Sequence, residues 1–186
     1  MSRIHKPMAF MALFFLIFFL SSAVPITKNT VIYIVRHAEK DTTDPKNNNP
    51  ELNSEGRKRA KALSHLLRKV KISAAFSTSF KRTMQTVEPV ALRNGITAKP
   101  YDSKNPGELV KLIGSEYEGK SILVAGHSNT ILELVKAFDV SPPVDKLNDD
   151  DYDLIFIITL HRNGNPELKI KRYGKRHHST EIAFSK

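Results

Sequence analysis

A chain of 186 residues, 40% of them hydrophobic, is long enough for one domain with a sizeable core and too apolar for disorder to be the default. It has no cysteine, which excludes a disulfide framework, a zinc–thiolate site and a cysteine nucleophile. The formal net charge of +10 is spread along the chain, and no basic run is interleaved with aromatic residues. That distribution speaks against a nucleic-acid module and suits a solvated basic surface that attracts anionic substrates or an anionic membrane face.

The first segment has the three parts of a secretory signal. Arg3, His5 and Lys6 precede an uninterrupted apolar run from Met8 to Leu20, and Ser21-Ser22-Ala23 supplies the small residues a signal peptidase reads. The run is shorter than the ~20 residues a spanning helix needs. Residues 1–23 are therefore expected to be a signal peptide and 24–186 a single domain, exported to the periplasm or beyond the cell. The alternative is an N-terminal membrane anchor at residues 8–20. Cleavage after Ala23 would remove Arg3 and Lys6 and no acid.

Val31 to Val35 is short, β-branched and apolar, the pattern of a strand buried on both faces. It runs straight into Arg36-His37, which places a guanidinium and an imidazole at the carboxyl edge of a central strand, where open α/β sheets bind ligands. Asp41 to Pro50 is a polar, Asn- and Pro-rich loop placed to cover that edge. Asn53 or Ser54 caps a helix over about Glu55 to Lys69, with Ala60, Leu63, Leu66, Leu67 and Val70 inward and His65 on an exposed flank. Ile72 to Ser77 predicts a second buried strand. A helix from Ser79 to Leu92 follows, with Arg82 in its first turn, a Pro89 able to kink it, and Asn94-Gly95 to stop it.

Ile96 to Tyr101 is extended, and Asn105-Pro106-Gly107 opens a helix from Glu108 to about Tyr117. Ser121 to Ala125 is a third apolar strand, leading into Gly126-His127-Ser128-Asn129-Thr130 and a helix over Ile131 to Phe138. In that turn Gly126 would permit close backbone approach, and the amides that follow could cradle an oxyanion. Ser141 to Asp151 is a Pro- and Asp-rich loop whose Asp149-Asp150-Asp151 reads as a solvated turn. Leu154 to Leu160 and Leu168 to Tyr173 form a hairpin, and His177-His178 falls in a solvated basic tail. The alternation of strand and helix makes the fold class α/β, with a mostly parallel central sheet.

Three strand ends thus deliver Arg36-His37, Arg82 and His127 to one edge, an electropositive set suited to phosphoryl oxygens. The motifs Val-Arg-His-Ala-Glu-Lys, Leu-Asn-Ser-Glu-Gly-Arg, Ser77-Thr-Ser-Phe-Lys-Arg-Thr-Met-Gln-Thr86 and Val-Ala-Gly-His-Ser-Asn-Thr130, in this order, resemble the histidine phosphatase superfamily and its phosphoglycerate mutase-like branch. The resemblance runs from about Val31 to Tyr173. It implies a three-layer α/β/α sandwich and a phosphatase acting on phosphomonoesters or phosphohistidine.

Carried over by motif, the resemblance makes His37 the nucleophile, with Arg36, Arg82 and His127 holding the phosphoryl oxygens. Ser128 and Asn129 would add donors, and Glu108 would be the proton donor, with Glu88 and Asp102 as rivals. Glu39, close behind the nucleophile, would orient the site. The implied enzyme needs no metal or other cofactor. Its partners would be a small phosphorylated substrate or a phosphoprotein, with no nucleic acid and with a membrane only if the N-terminal segment is retained. Two alternatives stay open: a non-catalytic phosphate-binding protein on the same scaffold, and a phosphoglycerate mutase.

Overall fold

The computed structural model describes residues 28–182. The expected signal peptide at 1–23 and the alternative anchor at 8–20 lie outside the described residues. Within them no helix is long and apolar enough to cross a membrane.

Six strands form one sheet. They are β1 (Thr30–Arg36), β2 (Ile72–Ser77), β3 (Ala98–Pro100), β4 (Ser121–Gly126), β5 (Leu154–Leu160) and β6 (Glu167–Arg172), in the order β3-β2-β4-β1-β5-β6. Parallel pairing joins β3, β2, β4 and β1, while β5 runs antiparallel to both its neighbours. Only β5 therefore opposes the common direction, as a mostly parallel sheet requires.

Side chains alternate across each strand and sort into two cores. Ile32, Ile34, Phe76, Ile122, Val124, Phe156 and Ile158 face α3 (Pro106–Glu116) and α4 (Ile131–Lys136). Val35, Ala75, Leu123, Ala125 and Ile155 face α1 (Ser54–Leu66) and α2 (Lys81–Asn94). The sheet is thus sandwiched between helix layers. Ile72 and Ala74 should share a face, yet they serve opposite cores, because the β2–β4 register shifts between them.

The helix ends follow local chemistry. Asn53 caps α1 by accepting from the Gly56 amide. The helix stops at Leu66, short of the expected Lys69, because Arg68 and Val70 bond to carbonyls three residues back. Leu66 is 39% exposed, a correction to its expected inward position, whereas Leu67 is buried. Gly95 ends α2 at φ 64°, and the helix passes through Pro89 without interruption.

The exit of β1 is pinned against α1. Glu39 O accepts from Asn53 N, and Lys40 bridges Leu52 across the closed base of the 41–50 loop. Gly56 sits against this turn. A β-carbon there would lie 2.2 Å from the Glu39 carbonyl oxygen and 3.0 Å from its carbonyl carbon and amide nitrogen. Backbone cannot swing aside as a side-chain tip can. Gly56→Ala is therefore expected to cost about 1–3 kcal/mol or more, by overpacking a rigid contact. Urea unfolding measures this, and an unchanged midpoint would show that the turn yields freely.

Candidate active site

The site forms where β1 and β4 lie side by side. Arg36 pairs with Gly126 in register, and the His37 amide donates to the Gly126 carbonyl at 2.9 Å. From these adjacent ends the chain leaves toward α1 on one face and α4 on the other, so the connections part and open a crevice. Gly126 is needed there for packing. A β-carbon would meet Ile131 Cγ2 and the Tyr101 hydroxyl, each at 2.7 Å. The groups that approach Gly126 closely are thus the side chains of Ile131 and Tyr101.

His37 is 4% exposed. Its Nδ1 lies 2.8 Å from the Ala38 carbonyl, which can only accept, so in the neutral ring Nδ1 carries the proton and Nε2 keeps its lone pair. The Ala38 amide donates to Thr86 Oγ1 at 2.9 Å, and Thr86 in turn donates to the Arg82 carbonyl at 2.7 Å. One hydroxyl thus ties the turn after His37 to the start of α2.

Arg36 is also buried. Its Nη1 donates to the Asn148 and Asp149 carbonyls, both at 2.9 Å, and its guanidinium carbon stands 4.2 Å from the centre of the Tyr152 ring. Asp149 Oδ1 is 3.7 Å from Nη2 on a fully exposed side chain, a weak attraction. The 141–151 loop therefore reaches the site. The 41–50 loop is exposed almost throughout.

His127 comes from the β4 turn, its ring centroid 5.3 Å from that of His37. Arg82 Nη2 lies 3.5 Å from His127 Nδ1, and His127 Nε2 lies 2.9 Å from Thr78 Oγ1. A guanidinium only donates, so Nδ1 is the acceptor and Nε2–H donates to Thr78. Thr78 then donates to Thr83 Oγ1 at 2.8 Å, and Thr83 to the Phe80 carbonyl at 2.7 Å. Phe80, 40% exposed, packs its ring 5.1 Å from His127 and 4.3 Å from the Arg82 guanidinium carbon.

Charge in this pocket is one-signed. Burial pushes His37 down to about 3, with Arg36, Arg82 and His127 adding to the fall against the Ala38 hydrogen bond. Burial, Arg82, Arg36 and Lys40 lower His127 to about 4. Burial and Arg36 also lower Arg82, which remains a cation at any working pH. Both imidazoles are thus neutral and both arginines charged. The Nε atoms of Arg36 and Arg82 are buried without a hydrogen-bond partner among the described residues. Two cationic side chains with unpaired donors beside a neutral imidazole suit an anion with an electrophilic centre.

The remaining expected residues are less tightly placed. Ser128 is half-buried and Asn129 exposed in the turn after His127. Glu108 is exposed in the first turn of α3, where it accepts from Asn105 Nδ2 at 2.8 Å and makes no hydrogen bond or ion pair to the four basic residues. Glu88 lies on the outer side of α2, in a groove with Met84 and Leu92. Asp102 lines a cavity of about 490 Å³ with Thr78, Phe80 and Tyr101, directly beside the site. No cluster among the described residues is arranged to hold a metal ion.

Two expectations about the acidic loop and the tail are corrected. Of the acidic turn expected to be solvated, Asp149 and Asp150 are exposed but Asp151 is 1% exposed, as is the neighbouring Asp153. Asp151 accepts from the Ser179 and Thr180 amides, while Asp153 pairs with Arg172 and with His178. The tail is folded onto the domain, because these buried carboxylates need its donors. His177 Nδ1 bonds Glu39 Oε1 at 2.8 Å, and Arg59 grips the same carboxylate at 2.7–3.0 Å. Burial alone would raise the Glu39 carboxyl, but Arg59 and His177 hold it below the usual range.

The sheet order and the paired strand ends define a phosphoglycerate mutase-like α/β fold with a basic pocket. Residues 32–103 match the model of the histidine phosphatase superfamily (branch 1), a segment that holds Arg36, His37 and Arg82. The chain is similar to that model over less than half of its length. Among solved structures it resembles the protein histidine phosphatase SixA complexed with tungstate (TM-score 0.60, 20% identity), covering 80% of this chain and 96% of that one. A mycobacterial glucosyl-3-phosphoglycerate phosphatase matches with TM-score 0.58 and 13% identity over 71% and 91%. An Entamoeba histolytica phosphoserine phosphatase in complex with 3-phosphoglyceric acid matches with 0.58 and 14% over 82% and 98%. At such identities the likeness carries the fold. No curated protein matches the sequence.

The depressed histidines have a measurable signature. The NMR signals of His37 and His127 should not titrate between pH 8 and 5, and an inflection near 6.5 in either would contradict the burial argument. Stability should also fall below pH 6.5. The unfolded histidines take up protons there and the folded ones do not until about pH 3–4, at up to ~1.4 kcal/mol per pH unit for each group.

Proposed function

We propose that the protein is an exported phosphatase that hydrolyses phosphomonoesters or phosphohistidine through a phosphohistidine on His37. One observation carries the reading. A neutral imidazole, its Nδ1 held by the Ala38 carbonyl, keeps a free Nε2 lone pair beside two arginines with unpartnered Nε donors. Support for the class of reaction comes from the superfamily match and from fold relatives that carry phosphatase names.

In this reading Nε2 attacks phosphorus in line, a P–N bond forms, and the bond to the leaving group breaks. Water then attacks the phosphoryl group, the P–N bond breaks, and inorganic phosphate leaves as His37 is restored. Arg36 and Arg82 neutralise the equatorial oxygens, which is most of what phosphoryl transfer asks of a protein. His127 presents a lone pair at Nδ1 in the empty site, so it must take a proton before it can donate to an oxygen. An arriving dianion favours that protonation by offsetting the neighbouring guanidinium. Ser128 and Asn129, in the following turn, are proposed as further donors. The leaving group's proton is assigned to Glu108, with Asp102, on the wall shared with Phe80, as the rival. Glu108→Gln and Asp102→Asn compared on one phosphomonoester decide between them.

His37→Ala should abolish turnover while leaving the fold and some phosphate binding intact. Arg82→Ala and His127→Ala should each lower the rate about a hundredfold or more and weaken phosphate binding. Quenching without acid during turnover should trap an acid-labile, base-stable phosphoryl group on His37. Near-normal activity in His37→Ala would overturn the assignment. Tight phosphate binding without turnover by the wild type would identify a binding protein instead.

Export rests on the basic start, the apolar run and Ser21-Ser22-Ala23. Mass spectrometry of the protein from its native host should give Val24 as the first residue. An intact N-terminus on protein recovered from the cytosol would count against export.

A further inference from the structure

Arg36 can serve the proposed reaction only if its guanidinium is held in one orientation. Nη1 is committed to the Asn148 and Asp149 carbonyls, which leaves Nη2, faced only by the exposed Asp149 carboxylate at 3.7 Å, for an anion. The flat face of the guanidinium lies 4.2 Å from the Tyr152 ring centre, and the same ring meets His37 edge-on at 6.0 Å. One aromatic side chain therefore contacts both residues that open the site. We propose that Tyr152 is a positioning residue for Arg36, braced from behind by the C-terminal tail through His177. The inference rests on the phosphatase reading for its consequence, but its geometry stands apart from that reading.

The bracing is dense. The Tyr152 amide donates to the His177 carbonyl at 3.0 Å, and the two rings lie 5.0 Å apart. His177 is fixed in turn by Glu39, two residues beyond the nucleophile. Arg59 completes the tie by donating to the Tyr173 and Lys175 carbonyls. On the other side of Tyr152, Asp151 accepts from the Asn148 amide at 2.6 Å and from the Thr180 hydroxyl at 2.6 Å. The carbonyls that hold Nη1 and the ring that covers the guanidinium thus sit on one loop, and the tail sets that loop's shape. An aromatic face attracts the cation and blocks rotation out of plane. A residue of similar bulk without a π-face would fill the space and lose that attraction.

The test is a double-mutant cycle read by two assays on the full chain: affinity for inorganic phosphate, and kcat/KM on 4-nitrophenyl phosphate. Tyr152→Leu should weaken phosphate binding and lower kcat/KM about tenfold or more, and Tyr152→Phe should restore most of the loss. Placed in Arg36→Ala, Tyr152→Leu should change phosphate affinity by less than about twofold, because the residue it positions is gone. His177→Ala, at a half-exposed position, should shift both readouts in the same direction by less and add nothing to Tyr152→Leu. An equal loss from Tyr152→Leu with and without Arg36 would overturn the proposal, as would a His177→Ala chain indistinguishable from wild type. If the wild type binds phosphate but turns nothing over, the phosphatase reading fails while the phosphate cycle still decides the role of Tyr152. Absence of phosphate binding in the wild type would remove both.

Discussion

Four basic side chains stand together at one strand edge, and burial, reinforced by their mutual repulsion, does not let all four carry charge. The two guanidinium groups cannot give up their protons, so the two imidazoles do. That constraint determines the rest of the site. It leaves His37 with a nucleophilic nitrogen, leaves His127 as an acceptor toward Arg82, and leaves a net positive field that only an anion neutralises. Because the pocket is unfavourable when empty, the fold must hold its parts in place by other means.

Those means are of three kinds. The sheet sets β1 and β4 side by side, so that Arg36 and His37 meet the His127 turn without any long loop. Threonine hydroxyls then link the strand ends: Thr86 joins the Ala38 amide to the start of α2, and Thr78 with Thr83 fixes the His127 ring. The third is a layer of buried carboxylates, Glu39, Asp151 and Asp153, each satisfied by partners distant in sequence. Glu39 and Asp153 pair with Arg59 and Arg172, cations outside the pocket, while Asp151 is satisfied by backbone amides and a threonine hydroxyl. Unpaired, any one of them would cost several kcal/mol.

What the sequence disclosed follows from how each feature is encoded. Strands buried on both faces are written as short apolar runs, so β2 and β5 were readable to the residue. Arg36, His37 and His127 were visible because they come at the end of such runs, and Arg82 because it falls in the first turn of the helix that follows β2. The boundary of α1 was misplaced because Arg68 and Val70 chose tighter turns, and no residue type signals that choice. Thr78, Thr83, Thr86, Phe80 and Tyr152 carry no signature of their role, since a hydroxyl or a ring acquires one only from what stands opposite. Asp151 looked like a solvent-facing acid, and Asp153 drew no reading, for the same reason. Their burial depends on His178, Thr180 and Arg172, and local pattern does not reach that far.

The tie between His177 and Glu39 spans 138 positions in the chain. Synthesis proceeds from the amino end, so Arg36 and His37 are made, and can be paired into a growing sheet, long before the residues that steady them exist. Contacts of such separation are the slowest to form, because their loop must close before they contribute. Secondary structure and pocket are therefore acquired at different times, and a nascent or nicked chain that lacks its tail would have the sheet and both histidines but not the fixed guanidinium. Chain connectivity itself thus delays activity until the polypeptide has reached the far side of its own sheet.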